Sequence, residues 1–101
     1  DGTKIIKYKA NGADVVIPSR CTEIGDRAFQ SKTALETVVI PDGVKKIGEC
    51  AFADCRLLKS IVIPDSVTTI GDEAFYYCAL LEYAVIPDGV TTIGKRDENR
   101  E

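Results

Sequence analysis

Residues 40–48 read IPDGVKKIG and residues 86–94 read IPDGVTTIG, with IPDSVTTIG midway at 63–71. Such internal repeats decide architecture. Aligned on proline, the chain places Pro18, Pro41, Pro64 and Pro87 each 23 residues after the last. Gly25, Gly48, Gly71 and Gly94 keep step. So do Ile17, Ile40, Ile63 and Ile86 before the proline, and Ile24, Ile47, Ile70 and Ile93 before the glycine. Ala28-Phe29 recurs as Ala51-Phe52 and Ala74-Phe75, and Leu35, Leu58 and Leu81 complete a unit of the form LxxIxIPDxVxxIGxxAFxxCxx.

Each column has a physical task. Ser60-Ile61-Val62-Ile63 is short and β-branched, which predicts a strand. Pro64 cannot continue a ladder, so the strand stops there. Ile-Pro-Asp-Gly and Ile-Pro-Asp-Ser suit a type I turn with proline at its second position and aspartate next. Val67 and Ile70 return apolar groups to the interior, and Gly71 permits a bend that a β-carbon hinders. Asp72-Glu73-Ala74-Phe75 is expected as one short helical turn with acids at its start. A single unit cannot bury its own apolar side, whereas stacked copies do, with parallel strands about 4.8 Å apart. Phe29, Phe52 and Phe75 then form a stacked spine. Repeats of this length with spaced Leu and Ile predict a leucine-rich repeat solenoid, β-rich with short helical turns, of about four coils.

Both ends depart from the unit. Asn11-Gly12 between two strand-like runs is a hairpin signal. It sets Tyr8 opposite Val15 and Ile6 opposite Ile17, with Lys4, Lys7 and Lys9 guarding the sheet edge. Residues 1–17 are therefore expected to form an N-terminal β-hairpin cap and 18–94 the repeats of one domain. Residues 95–101 are a polar tail expected to fray, since Asp97 and Glu98 replace the Ala and Phe columns. An uncapped last coil invites self-association or further domains. The start at Asp1, not Met, is expected of a processed or excised piece.

IPDGVKKIGECAFADC at 40–55 and IPDSVTTIGDEAFYYC at 63–78 resemble the IPxxVxxIGxxAFxxC and LxxIxIP signature of the BspA-type, or treponemal-class, leucine-rich repeat family. The resemblance covers about residues 13–94, and many columns agree at one period. Two positions depart from it: Cys21 stands in the column of Val44, Val67 and Val90, and Lys32 in the column of Cys55 and Cys78. The resemblance implies a protein-binding scaffold of a bacterial or protist surface protein, with host matrix or plasma proteins among the partner classes. The signature residues are the buried ones and name no ligand.

Composition narrows the function further. The 101 residues are 45% apolar and 29% charged, with a formal charge of −3. That balance argues against a nucleic-acid partner, and no apolar run approaches the roughly 18 residues of a membrane span. There is no histidine, so no Ser-His or Cys-His pair exists for nucleophilic catalysis, and neither an enzyme nor a cofactor is expected. Asp42, Asp65 and Asp88 form a column that suits calcium. The favoured reading is that each bonds its own turn backbone; Ser19 breaks the column. Cys21, Cys50, Cys55 and Cys78 match no zinc or redox spacing. Packed thiols are the favoured reading; a Cys55–Cys78 bridge is geometrically conceivable, and Cys50 is the candidate reactive thiol.

Strand alternation is the informative feature for binding. With Ile61 and Ile63 inward, Val62 faces out, and the same logic exposes Val16, Val39 and Val85. Asp14, Thr37, Ser60 and Tyr83 flank them. Plain β-propensity explains valine in strands. An apolar stripe with polar edges also suits docking, and Tyr83 adds a residue enriched at interfaces. The expected partner-binding residues are Val39, Val62, Val85, Thr37, Ser60 and Tyr83, with Tyr76 and Tyr77 as a rival patch. The expected role is a protein-interaction or adhesion module of a surface or secreted protein. A structural spacer and an intracellular scaffold are the alternatives.

Overall fold

The computed structural model describes residues 4–5, 12–81, 83–85 and 92–93. Every ladder in it is parallel. Strands β1 (Lys4–Ile5), β3 (Glu23–Ile24), β5 (Lys46–Ile47), β7 (Thr69–Ile70) and β9 (Thr92–Ile93) form one sheet in that order. Strands β2 (Asp14–Val16), β4 (Thr37–Val39), β6 (Ser60–Val62) and β8 (Tyr83–Val85) form the other. Between β3 and β9, and throughout the second sheet, each residue pairs with the one 23 positions on: Val38 with Ile61, Ile47 with Ile70. The chain winds from one sheet to the other and back once per repeat, as the proline register requires.

The core fills the space inside the coils, column by column. Ile24, Ile47 and Ile70 are buried, as are Phe29, Phe52 and Phe75, and Leu35, Leu58 and Leu81. Phe29 and Phe52 stack with ring centroids 5.0 Å apart and Phe52 and Phe75 at 5.6 Å, so the expected spine is present. Offset aromatic stacking adds to the area these rings bury.

Three expectations need correction. First, Asp72–Phe75 is not a helical turn. In the equivalent stretches of the two coils before it, alternate amides leave the coil: those of Arg27, Phe29 and Ser31 donate to the carbonyls of Glu49, Ala51 and Ala53 in the next coil, at 2.7–2.8 Å. Those of Cys50, Phe52 and Asp54 do the same toward Asp72, Ala74 and Tyr76. The intervening amides close local turns, as Ala28 does on Gly25 and Gln30 on Arg27. A helix points all its amides one way along its axis, and this alternation forbids it. The backbone achieves it with left-handed residues four apart: Arg27 and Ser31, Cys50 and Asp54, Glu73 and Tyr77, with φ of 55–64°. The result is a third hydrogen-bonded wall.

Second, the turn after each of β2, β4 and β6 begins on the proline. Val44 and Val67 donate to the carbonyls of Pro41 and Pro64, and Cys21 to that of Pro18. Proline thus holds the first position, not the second. Gly43, at the third position, has φ of 104°, which that position of a type II turn demands. Gly71 serves closeness instead: a β-carbon there would meet the Glu49 backbone nitrogen at 2.6 Å. Gly48 stands equally near Asp26 and Gly25.

Third, Lys4–Ile5 is not an antiparallel hairpin arm. It pairs in parallel with Glu23–Ile24, in the other sheet from Asp14–Val16. Lys4 and Lys46 flank Glu23 across this ladder, at 3.5 and 4.0 Å, a cross-strand charge match that favours the register. Asn11, with the rest of 6–11, lies outside the described residues, as does the 95–101 tail.

Candidate docking face

The outer side of the β2-β4-β6-β8 sheet carries the residues singled out by strand alternation. Strands β2, β4 and β6 each bury their middle residue and expose the two beside it. Val16, Val39 and Val62 are 74%, 55% and 65% exposed. They stand in register, Val16 beside Val39 and Val39 beside Val62, with Val85 next in line by pairing. Asp14, Thr37 and Ser60 make a parallel exposed row, and the backbone of Tyr83 pairs with Ser60 at its end. The Thr37 hydroxyl donates to Asp14 Oδ1 at 2.7 Å, which ties down one end of that row.

On the other side of the valines lies a shallow groove of about 330 Å³, lined by Val38, Val39, Ile40, Asp42, Val62 and Pro64. Asp42 and Asp65 are exposed at successive turns beside it. The expected bond from each aspartate to its own turn is not formed, and neither carboxylate has a hydrogen-bond or ion-pair partner among the described residues. Gly43 supplies part of the reason in one coil, because its positive φ lets the turn close without a bond from Asp42. Ser66, one coil on, braces that same turn from its neighbour: its hydroxyl donates to the Val44 carbonyl at 2.6 Å and accepts the Gly43 amide at 3.0 Å. No cluster of three metal-ligating side chains stands among the described residues.

The rival patch sits on the third wall. Tyr76 and Tyr77 stack at 5.8 Å, and the Arg56 guanidinium lies 5.7 Å from the Tyr77 ring centre. Arg56 Nε donates to Asp54 Oδ1 at 2.7 Å. That bond, with a second from the Ser31 hydroxyl, holds the Asp54 carboxyl below its ordinary range. Leu57 and Leu80 are exposed nearby in sequence. The repeat consensus passes over them; the doubled Leu57-Leu58 and Leu80-Leu81, where one leucine fills the buried column, is the signal that finds them.

The four thiols are free and buried. Cys55 and Cys78 donate to the Phe29 and Phe52 carbonyls of the preceding coil, both at 3.1 Å. Burial, then the neighbouring Cys78, pushes the Cys55 thiol up to about 12. Cys50 is only 9% exposed, and burial followed by the Glu73 carboxylate raises it too. A reactive thiolate needs the opposite shift, so the expectation for Cys50 is overturned.

The BspA-type leucine-rich repeat model matches residues 3–97 in six copies. The chain belongs to this family. The BspA-type match begins ahead of residue 18, in keeping with the parallel pairing of Lys4–Ile5. The fold is similar to the Treponema pallidum leucine-rich repeat protein, at 33% identity and TM-score 0.87 over 90% of this chain and 45% of that one. It is also similar to the pneumococcal vaccine antigen PcpA, at 33% and 0.89 over 94% of this chain and 24% of that one. A leucine-rich cell surface protein of Faecalibacterium prausnitzii matches at 36% and 0.79, over 89% and 27%. This BspA-type chain thus spans less than half the length of each of these proteins. No curated protein matches it.

Proposed function

We propose that this BspA-type array is a non-catalytic protein-interaction or adhesion module of a surface or secreted protein, and that its partner docks on the outer face of the β2-β4-β6-β8 sheet. The observation that carries this reading is the in-register row of exposed Val16, Val39 and Val62. Burying such a row contributes about 25 cal/mol per Å² of apolar area covered. Val85, Thr37, Ser60 and Tyr83 extend the same face. The surface location is supported by similarity to a cell surface protein and a vaccine antigen. No helix among the described residues is long and apolar enough to cross a membrane. The spacer reading draws on a different fact: the chain matches only part of much longer relatives.

The test is capture of matrix and plasma proteins on the immobilised chain, followed by mass spectrometry, with a Val39→Glu and Val62→Glu double variant beside it. The wild-type chain is expected to retain a partner that the variant loses while keeping its circular dichroism spectrum. Capture that survives the double substitution moves the surface elsewhere, first to Tyr76 and Tyr77. An empty capture favours the spacer.

A further inference from the structure

The sheet face carries a charge pattern that narrows what binds there. Asp42 is the one charged residue lining the groove beside Val39 and Val62. Asp65 follows it one coil on. Both carboxylates are exposed and without a partner among the described residues, unlike Asp14, which Thr37 engages, or Glu36, which Lys59 pairs at 3.7 Å. The described cation among these turn residues, Arg20, belongs to the first coil, in the column of Gly43 and Ser66. The second and third turns, residues 41–44 and 64–67, therefore each carry one exposed carboxylate and no cation.

We propose that the partner presents an aliphatic or aromatic side chain beside a lysine or arginine. The apolar group seats against Val39, Val62 and Pro64, and the cation reaches Asp42 and Asp65. The proposal rests on the sheet face being the binding surface. An anionic partner meets Asp42 at the groove. A neutral apolar one strips water from carboxylates and returns nothing for it. A cation supplies the missing complement, which gives orientation and partner choice more than raw affinity. The methylene stem of lysine or arginine also lies well along exposed valine.

Three fluorescent peptides test this on the full chain by anisotropy: alternating leucine–lysine, leucine–glutamate and serine–lysine. Leucine–lysine is expected to bind about tenfold more tightly than either other peptide. The Asp42→Asn, Asp65→Asn double variant is expected to bind it about five- to tenfold more weakly and with less salt dependence, the scale of two exposed ion pairs. Removing the exposed Glu49 charge, on the third wall, with Glu49→Gln should change nothing. Equal binding of leucine–lysine and leucine–glutamate overturns the cation requirement. Equal binding of serine–lysine overturns the groove. Equal loss in Glu49→Gln shows attraction to net charge alone and overturns the assignment to Asp42 and Asp65. Unchanged leucine–lysine binding by the Val39→Glu, Val62→Glu variant instead overturns the choice of face itself.

Discussion

Gly71 lies so close to Glu49 of the preceding coil that a β-carbon on it would stand 2.6 Å from the Glu49 backbone nitrogen. The obstruction is backbone, which cannot rotate aside. Gly71→Ala is therefore expected to cost at least the upper end of the roughly 1–3 kcal/mol typical of overpacking. Gly43→Ala meets nothing within 4 Å but must hold φ of 104°, a strain of about 1–3 kcal/mol. Urea unfolding measures both. The order of the two midpoints checks that closeness outweighs strain.

Phe52 stacks on a ring above and a ring below. Phe52→Ala removes both contacts and leaves a cavity, at about 3–5 kcal/mol. Phe52→Leu keeps most of the volume and is expected to cost much less. A Phe52→Leu midpoint equal to that of the unsubstituted chain would show that the stack contributes no more than its volume, and one as low as that of Phe52→Ala would show that the stacking itself carries the loss.

The third wall demands left-handed backbone at residues that are not glycine. Arg27, at φ of 60°, is exposed. A β-branched residue resists that region by about 1–2 kcal/mol, and glycine accepts it freely. Arg27→Val should thus be less stable than Arg27→Gly by roughly that amount, the reverse of their usual order in a strand. Thermal melts of the pair give the answer directly.

The Cys55 thiol, ordinarily near 9.0, is raised to about 12 by burial and by Cys78. Below pH 9.0 folded and unfolded chains both keep its proton. Between 9.0 and about 12 the unfolded chain has released a proton that the folded chain still holds, so stability falls as pH rises through that window. Cys55→Ala is expected to flatten this fall, as read from urea midpoints below and inside the window. A disulfide-type thiol reagent at neutral pH should find no fast-reacting cysteine until the chain is unfolded.

How much of this was readable beforehand depends on what a residue type encodes. Burial repeats with the chain, so Ile24, Ile47 and Ile70 announce their column, and alternation around Ile61 announces Val62. The direction of an amide leaves no such mark. Arg27, Cys50 and Glu73 share a left-handed backbone but no side-chain chemistry, so the third wall looks like a helical turn in the sequence. Proline lacks an N–H whether it stands first or second in a turn, which hid the one-residue shift at Pro64. Glycine is ambiguous for a related reason: Gly43 serves dihedral freedom and Gly71 serves space, and the letter is the same. On the docking face, exposure was legible at Val39 and Val62, whereas the unpartnered state of Asp42 depends on how Gly43 and Ser66 order the turns.

The constant 23-residue offset from β3 onward has a kinetic meaning. Every layer added there closes a loop of the same length on an existing template, so joining the first two layers is the hard step and each later one resembles deposition on a growing crystal face. Deuterium uptake should then be fastest at the two ends of the array and slowest around Phe52, with the boundary moving inward as denaturant is added. Such a chain melts from its outermost layers, and its length can change by whole unit cells without redesign of the layers beneath.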